Sequence, residues 1–177
     1  DKSEAVILTE HKTRVTCVRW NKAGTMLASA SADGTLIVRD IIDDGAKLVI
    51  VNDWRKLSNL ENQAAVRGVA WSGDGQSLVS ASVDGWVRTW TAQTGNEVRG
   101  WKMEFGAWCA DWEDVEQRPG RLACGLEDGS VKVWRPNEPD REEPKPLHDS
   151  FRVRVLSVKW SASGLLAASS WNGEVWV

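Results

Sequence analysis

The sequence predicts an all-β fold built from four copies of one antiparallel unit, stacked or arranged in a circle. The first observation is a repeat. HKTRVTCVRWNKAGTMLASASADGTLIVRD (11–40) returns as NQAAVRGVAWSGDGQSLVSASVDGWVRTWT (62–91), then as MEFGAWCADWEDVEQRPGRLACGLEDGSVKVWR (103–135), then shortened as FRVRVLSVKWSASGLLAASSWNGEVWV (151–177). The second is that each copy holds short apolar segments of about 5–6 residues separated by glycine turns, the size of ordinary strands. The third is that helical periodicity is absent throughout. A strand-rich period of roughly 40–50 residues means units that stack on their neighbours, because no single unit buries its own apolar face.

Each copy can be anchored on a tryptophan, Trp20, Trp71, Trp112 and Trp160, spaced by 51, 41 and 48 residues. The first strand ends at the anchor: VTCVRW, VRGVAW, AWCADW, VLSVKW. A glycine turn follows, then a second strand: MLASAS, SLVSAS, RLACGL, LLAASS. Asp-Gly or Asn-Gly closes the next turn, a pair that tolerates positive φ and favours a tight hairpin. A third strand completes the pattern: TLIVRD, WVRTWT, SVKVWR, EVWV. In it Leu36 and Val38, Val87 and Thr89, Val131 and Val133, and Val175 and Val177 fall on one face, because side chains alternate along a strand. That face is expected to pack on the next unit. KLVIV after the first copy reads as a fourth strand, and Trp54 beyond it as a cap on the sheet edge or a contact site. The proline-rich stretch 134–150 reads as an exposed, mobile outer connection.

Three residues before each anchor stand Cys17, Gly68, Cys109 and Ser157, all small. Small residues are what a propeller demands where the first strands crowd a central channel. Cys17, Cys109 and Cys124 show no zinc spacing. They read as buried, reduced thiols packed like small apolar residues.

These landmarks resemble the WD-repeat family of β-propellers. The resemblance rests on Trp-Asn/Ser-x-x-Gly, Ser-Ala-Ser-x-Asp-Gly and the strand ending at Trp90 or Trp134, and it covers nearly the whole chain. It implies a WD-repeat β-propeller with four blades of four-stranded antiparallel sheets. It also implies a hydrogen-bonded set in each blade: a His before the first strand, a Ser or Thr in the second, the tight-turn Asp and a closing Trp. No copy is complete. The first offers His11, Ser31 and Asp33, with Arg39 in place of the Trp. The second offers Ser82, Asp84 and Trp90, with Asn62 for the His. The third keeps Asp128 and Trp134, with Met103 and Leu126 at the other places. The fourth keeps Ser170, with Asn172 for the Asp.

The whole of 1–177 reads as one propeller, with blades at about 12–51, 63–102, 104–149, and 152–177 completed by a strand at 4–10. In the family the first strand in sequence completes the last blade, and Ala5 to Thr9 is placed to do so. Three closures are open: a four-bladed ring, two chains joined as an eight-bladed ring, or one part of a longer propeller. The missing initiating Met points to an excised or engineered piece, whose bare faces recruit a partner.

Composition narrows function. A net charge of −3 and pI near 5.5 give no electrostatic case for nucleic acid. No apolar run reaches membrane-spanning length, and there is no secretory signal. Unpaired cysteines suit the cytoplasm or nucleus. With 2 His in the chain, no phosphate-binding glycine loop, and Asp33, Asp84 and Asp128 on separate blades, no catalytic, cofactor or metal site is expected. The expected function is a non-enzymatic scaffold for protein or peptide partners. The alternative is a self-assembling propeller fragment whose main partner is itself.

In the resembled family partners dock on the rim formed by the loops before the first strands and the tight turns. The resemblance therefore points to Val83, Glu127 and Trp171 just before the tight-turn Asp or Asn, and to Trp86 just after. Trp171 and Trp86 are candidate hot spots, since large aromatics dominate interface energetics. Lys12, Arg14, Arg152 and Arg154 make the same rim basic and suit an acidic or phosphorylated peptide.

Overall fold

The computed structural model describes residues 7–43, 48–58, 64–115, 120–136, 144–148 and 151–177; for 42–43, 48–58 and 148 it describes the backbone path alone. The described residues form strands and turns with no helix. Blade 1 holds β1 (Val15–Trp20), β2 (Met26–Ser31), β3 (Thr35–Asp43) and β4 (Leu48–Ser58). Blade 2 holds β5 (Val66–Trp71), β6 (Ser77–Ser82), β7 (Trp86–Thr91) and β8 (Glu97–Lys102). Blade 3 holds β9 (Ala107–Trp112), β10 (Leu122–Leu126), β11 (Val131–Trp134) and β12 (Lys145–His148). Blade 4 holds β13 (Val155–Trp160), β14 (Leu166–Ser170) and β15 (Val175–Trp176). Each sheet is an antiparallel meander in sequence order. The tight turns close on Gly34, Gly85, Gly129 and Gly173, all with positive φ, the backbone region where glycine costs least.

The outer connection 134–150 departs from expectation. Lys145–His148 pairs with β11 as the fourth strand of its sheet. Proline is tolerated there because an edge strand leaves one row of N–H groups unused, and Pro146 occupies such an edge.

Three apolar layers join successive blades. Ala28, Ala30, Leu36 and Val38 of blade 1 meet Val66, Val69 and Trp71 of blade 2. Val79, Ala81 and Val87 of blade 2 meet Ala107, Ala110 and Leu122 of blade 3. Val131 of blade 3 meets Val155 and Val158 of blade 4. The alternating third-strand face thus packs forward, as its pattern requires. First strands lie side by side on the inside. A Cβ at Gly68 would stand 2.9 Å from the backbone of both Cys109 and Ala110, so this position accepts only hydrogen.

The two ends of the series are uncovered. Val15 (46% exposed), Val18 (45%) and Trp20 (49%) are bare, whereas their counterparts Val66, Val69 and Trp71 are at most 8% exposed beneath blade 1. Val175 (68%) and Val177 (89%) face solvent where Leu36 and Val38 are buried. The blade 4 sheet has three strands. Ile7 to Glu10, expected within the strand that completes it, form no strand; residues 1–6 lie outside the described residues. Glu10 is held elsewhere, by an ion pair to Arg39 on blade 1.

The polar set inside each blade differs from its expected form. In blade 1 the His11 ring nitrogens sit 2.8 Å from Thr35 Oγ1 and 2.8 Å from Ser29 Oγ, not at Ser31. Burial, outweighing the opposing charge of Asp33, lowers the pKa of His11. Ser31 Oγ instead donates to the Arg14 carbonyl (3.1 Å) and accepts from the Asp33 N–H (3.2 Å). Ser82 likewise donates to the Ala64 and Ala65 carbonyls, and Ser170 to Asn172 and the Glu174 carbonyl. Asp33, Asp84 and Asp128 each accept the N–H two residues on, closing the tight turn. Burial alone would raise Asp33, but hydrogen bonds from Thr35, Lys12 and Ser31 outweigh it and hold its carboxyl at about 2.

The closing Trp90 donates from Nε1 to Ser80 Oγ at 2.8 Å. Ser80 is the register equivalent of Ser29. In blade 3 that place is Cys124, two residues beyond the partner of Trp134, and the buried Trp134 Nε1 has no hydrogen-bond partner among the described residues. Restoring an acceptor at an orphaned donor is worth about 1 kcal/mol. Cys124→Ser is therefore expected to raise Tm by about 2–4 °C, read by thermal circular dichroism. An unchanged or lower Tm would mean that burying the hydroxyl costs as much as the new bond gains.

Candidate protein-interaction surface

The tight turns and the segments before the first strands lie at one end of the blades. A single backbone bond repeats in all four. The N–H groups of Ala32, Val83, Glu127 and Trp171 donate to the carbonyls of Arg14, Ala65, Gly106 and Arg154 at 2.9, 3.1, 2.9 and 3.0 Å. This bond forms because the tight turn begins one residue past the second strand, opposite the residue that leads into the first. It builds a rim whose backbone is fixed and whose side chains vary.

The rim residues singled out in the sequence fare differently. Trp171 is 69% exposed, with no ring partner among the described residues. Trp86 is half-buried. Its ring carries the Arg88 guanidinium at 4.7 Å and the Lys102 ammonium at 5.8 Å, so cation–π contact occupies the surface it would offer. Val83 is half-buried, and Lys12, Arg14 and Arg152 are exposed. Glu127 is exposed and accepts from Arg154 at 2.8 Å.

The first strands add a feature the rim positions did not reveal. Pairing with the second strand skips one residue in every blade: Thr16, Arg67, Trp108 and Leu156. Each is a β-bulge, a device that re-aims a side chain. Two of the bulged residues, Arg67 and Trp108, meet across neighbouring blades, and Arg154, immediately before β13, joins them. Arg67 of blade 2 lies 4.5 Å from the Trp108 ring of blade 3, and Arg154 of blade 4 lies 3.7 Å from the same ring. Burial, then the charges of Arg14 and Arg154, lower the pKa of Arg67. In sequence the one sign of this is that Thr16, Arg67, Trp108 and Leu156 differ while the residue after each is small.

Burial pushes the Cys109 thiol up to about 12 and raises Cys124 well above its ordinary value. Among the described residues, no three His, Cys, Asp or Glu converge as a metal site, and no helix is long and apolar enough to cross a membrane.

Blades of this topology, joined face to face around crowded inner strands, define a β-propeller. The family model of the WD domain, G-beta repeat matches residues 2–40, and that of the anaphase-promoting complex subunit 4 WD40 domain matches 45–115. The chain belongs to the WD-repeat family. It is 28% identical over 185 residues to Protein HIR1 of Cryptococcus neoformans, covering 96% of this chain and 20% of that protein. The chain thus spans about a fifth of that relative's length. The Cps50 (Swd1) β-propeller domain of Myceliophteria thermophila superposes with a TM-score of 0.70 at 23% identity, over 93% of this chain and 51% of that one. The computationally designed Ika4 protein superposes with a TM-score of 0.71 at 21% identity, over 99% of this chain and 96% of that one. Both structural likenesses speak to the fold.

Proposed function

We propose that this chain is a non-enzymatic scaffold that presents its rim to protein or peptide partners inside the cell. The observation that carries the reading is Trp171. A large aromatic 69% exposed on a rim fixed by backbone bonds is costly to leave in water, and such residues anchor interfaces. Arg152 and the Arg154–Glu127 pair beside it supply a polar surround. Val83, Lys12 and Arg14 extend the surface around the rim, and Trp86 contributes only its free edge. Membership of a family whose matched model is named for a subunit of a complex agrees with this role. Free thiols at Cys17, Cys109 and Cys124 suit a reducing compartment.

Trp171→Ala is expected to weaken partner binding by about ten- to thirtyfold, the usual cost of truncating an aromatic anchor, with Tm unchanged. Titration calorimetry and thermal circular dichroism on the same preparations read the two effects. A large fall in Tm would make Trp171 a packing residue and remove the assignment.

A second reading, self-association, is favoured by the bare faces at Val15, Val18 and Trp20 and at Val175 and Val177. Each face is the counterpart of one that is buried between neighbouring blades. Light scattering that finds a single 19.6 kDa species at every concentration excludes it.

A further inference from the structure

We infer that Arg67, Trp108 and Arg154, with Arg14 beside them, form a binding site for the phosphate group of a phosphorylated peptide; this rests on the scaffold reading above. Arg67 and Trp108 lie in β5 and β9, and Arg14 and Arg154 immediately precede β1 and β13. Two guanidiniums share the Trp108 ring, at 4.5 and 3.7 Å. Like charges so placed repel one another, and burial, then the charges of Arg14 and Arg154, lower the pKa of Arg67. No carboxylate forms an ion pair with Arg14 or Arg67 among the described residues. The Nε atoms of Arg67 and Arg154 and Nε1 of Trp108 are buried donors with no hydrogen-bond partner among the described residues. Buried donors in native proteins are normally satisfied, and three of them in one arginine–tryptophan cluster describe an anion's place.

The cluster already takes one carboxylate. Glu127 pairs with Arg154 at 2.8 Å while staying half exposed, so it is a weak internal competitor that a ligand displaces. A single carboxylate leaves Arg14 and Arg67 uncompensated. A phosphate monoester carries close to two charges and three acceptor oxygens at neutral pH, which matches several guanidiniums better than a second Glu does. A peptide is favoured over a free ion because the exposed Trp171 adjoins the site through its backbone bond to Arg154, giving an apolar contact for the flanking chain.

The probe is a tryptophan-free peptide Gly-Gly-pSer-Gly-Gly, titrated at low salt into 15N-labelled protein while the Trp108 indole N–H resonance is followed. Its Glu- and Ser-centred counterparts serve as comparisons. The phosphopeptide is expected to shift that resonance saturably, the Glu peptide to bind about tenfold more weakly, and the Ser peptide not to bind. Arg67→Gln and Arg154→Gln each weaken binding about tenfold, the scale of a lost charged hydrogen bond. Glu127→Gln tightens it several-fold, a gain that no folding defect produces. Arg19→Gln, a charge-matched change at an exposed site toward the opposite end of β1 from the rim, leaves it unchanged. The inference is overturned by an unmoved Trp108 resonance, by equal binding of the Glu and phosphoserine peptides, by weaker binding in Glu127→Gln, or by equal losses in Arg19→Gln and Arg67→Gln. If Trp171→Ala leaves partner binding intact while this titration succeeds, the rim-anchor reading falls and the phosphate site stands; the reverse pattern removes only the site.

Discussion

Trp134→Ala is expected to destabilise the chain by about 3–5 kcal/mol, the range for truncating a buried aromatic. Trp134 is 2% exposed and belongs to the layer that joins blades 2 and 3. Its ring meets Trp101 edge to face at 5.3 Å. Removing it opens a cavity between two sheets, and backbone pairing on both sides of β11 keeps those sheets from collapsing into it. In a chain of this size the cost corresponds to a fall in Tm on the order of 10 °C. Val98→Ala, at an exposed site on the outer strand β8, supplies the baseline. A loss for Trp134→Ala no larger than for Val98→Ala would show that the blades are held together elsewhere.

Glu113→Gln is expected to cost about 2–4 kcal/mol, below the full penalty for breaking a buried pair because Arg121 is 29% exposed. Glu113 is 1% exposed. Its Oε2 accepts from the Arg121 backbone N–H at 3.1 Å and from Nε at 2.9 Å, and its Oε1 accepts from the guanidinium at 2.7 Å. The same guanidinium donates to the Gly164 carbonyl at 3.1 Å and lies 4.2 Å from the Trp160 ring. One carboxylate therefore aligns the arginine that clamps blade 3 to blade 4. Glutamine keeps the volume but loses the charge and one acceptor. Chemical denaturation of the single variant and of Glu113→Gln with Arg121→Gln separates the causes. The double variant is expected to recover part of the loss, because no unpaired charge remains. A double variant as unstable as the sum of both singles would argue against a coupled pair.

Much of the fold was legible because repetition supplies its own alignment. Four copies in register place every turn, and alternation then assigns each third-strand face. What repetition left unread has local causes. Ser29 and Ser31 lie on the same face of β2, so alternation cannot choose which one meets the histidine; the bulge at Thr16 fixes the register that brings Ser29 there. Prolines hid β12, although an edge strand admits them. Ile7 to Glu10 carry strand-forming residues, yet the ion pair from Glu10 to Arg39 ties this segment to blade 1.

The rim shows the same division. Trp171 was legible because its place before the tight-turn Asn is set by the repeat. Trp86 occupies an equally visible position, but a pair of cations on its ring was encoded by Arg88 and Lys102, the second of them on another strand. Arg67 and Trp108 were missed because a bulge, not a motif, brings them together. Their departure from alternation has no composition of its own. Only comparison of the copies, where a variable residue precedes a small one, marks the site.

Stability resides in the layers between blades, whereas the proposed recognition surface is the rim. Site-specific photo-crosslinking tests it most directly. A photoreactive amino acid is placed at position 171 on the rim, at position 98 on the outer strand, and at position 165 in the turn between β13 and β14. All three sites are exposed, at 69%, 61% and 60%. Position 171 is expected to yield a saturable crosslink to a partner, competed by the unlabelled chain, with none at 98 or 165. Dominant crosslinking at position 98 or 165, with none at 171, would contradict the claim.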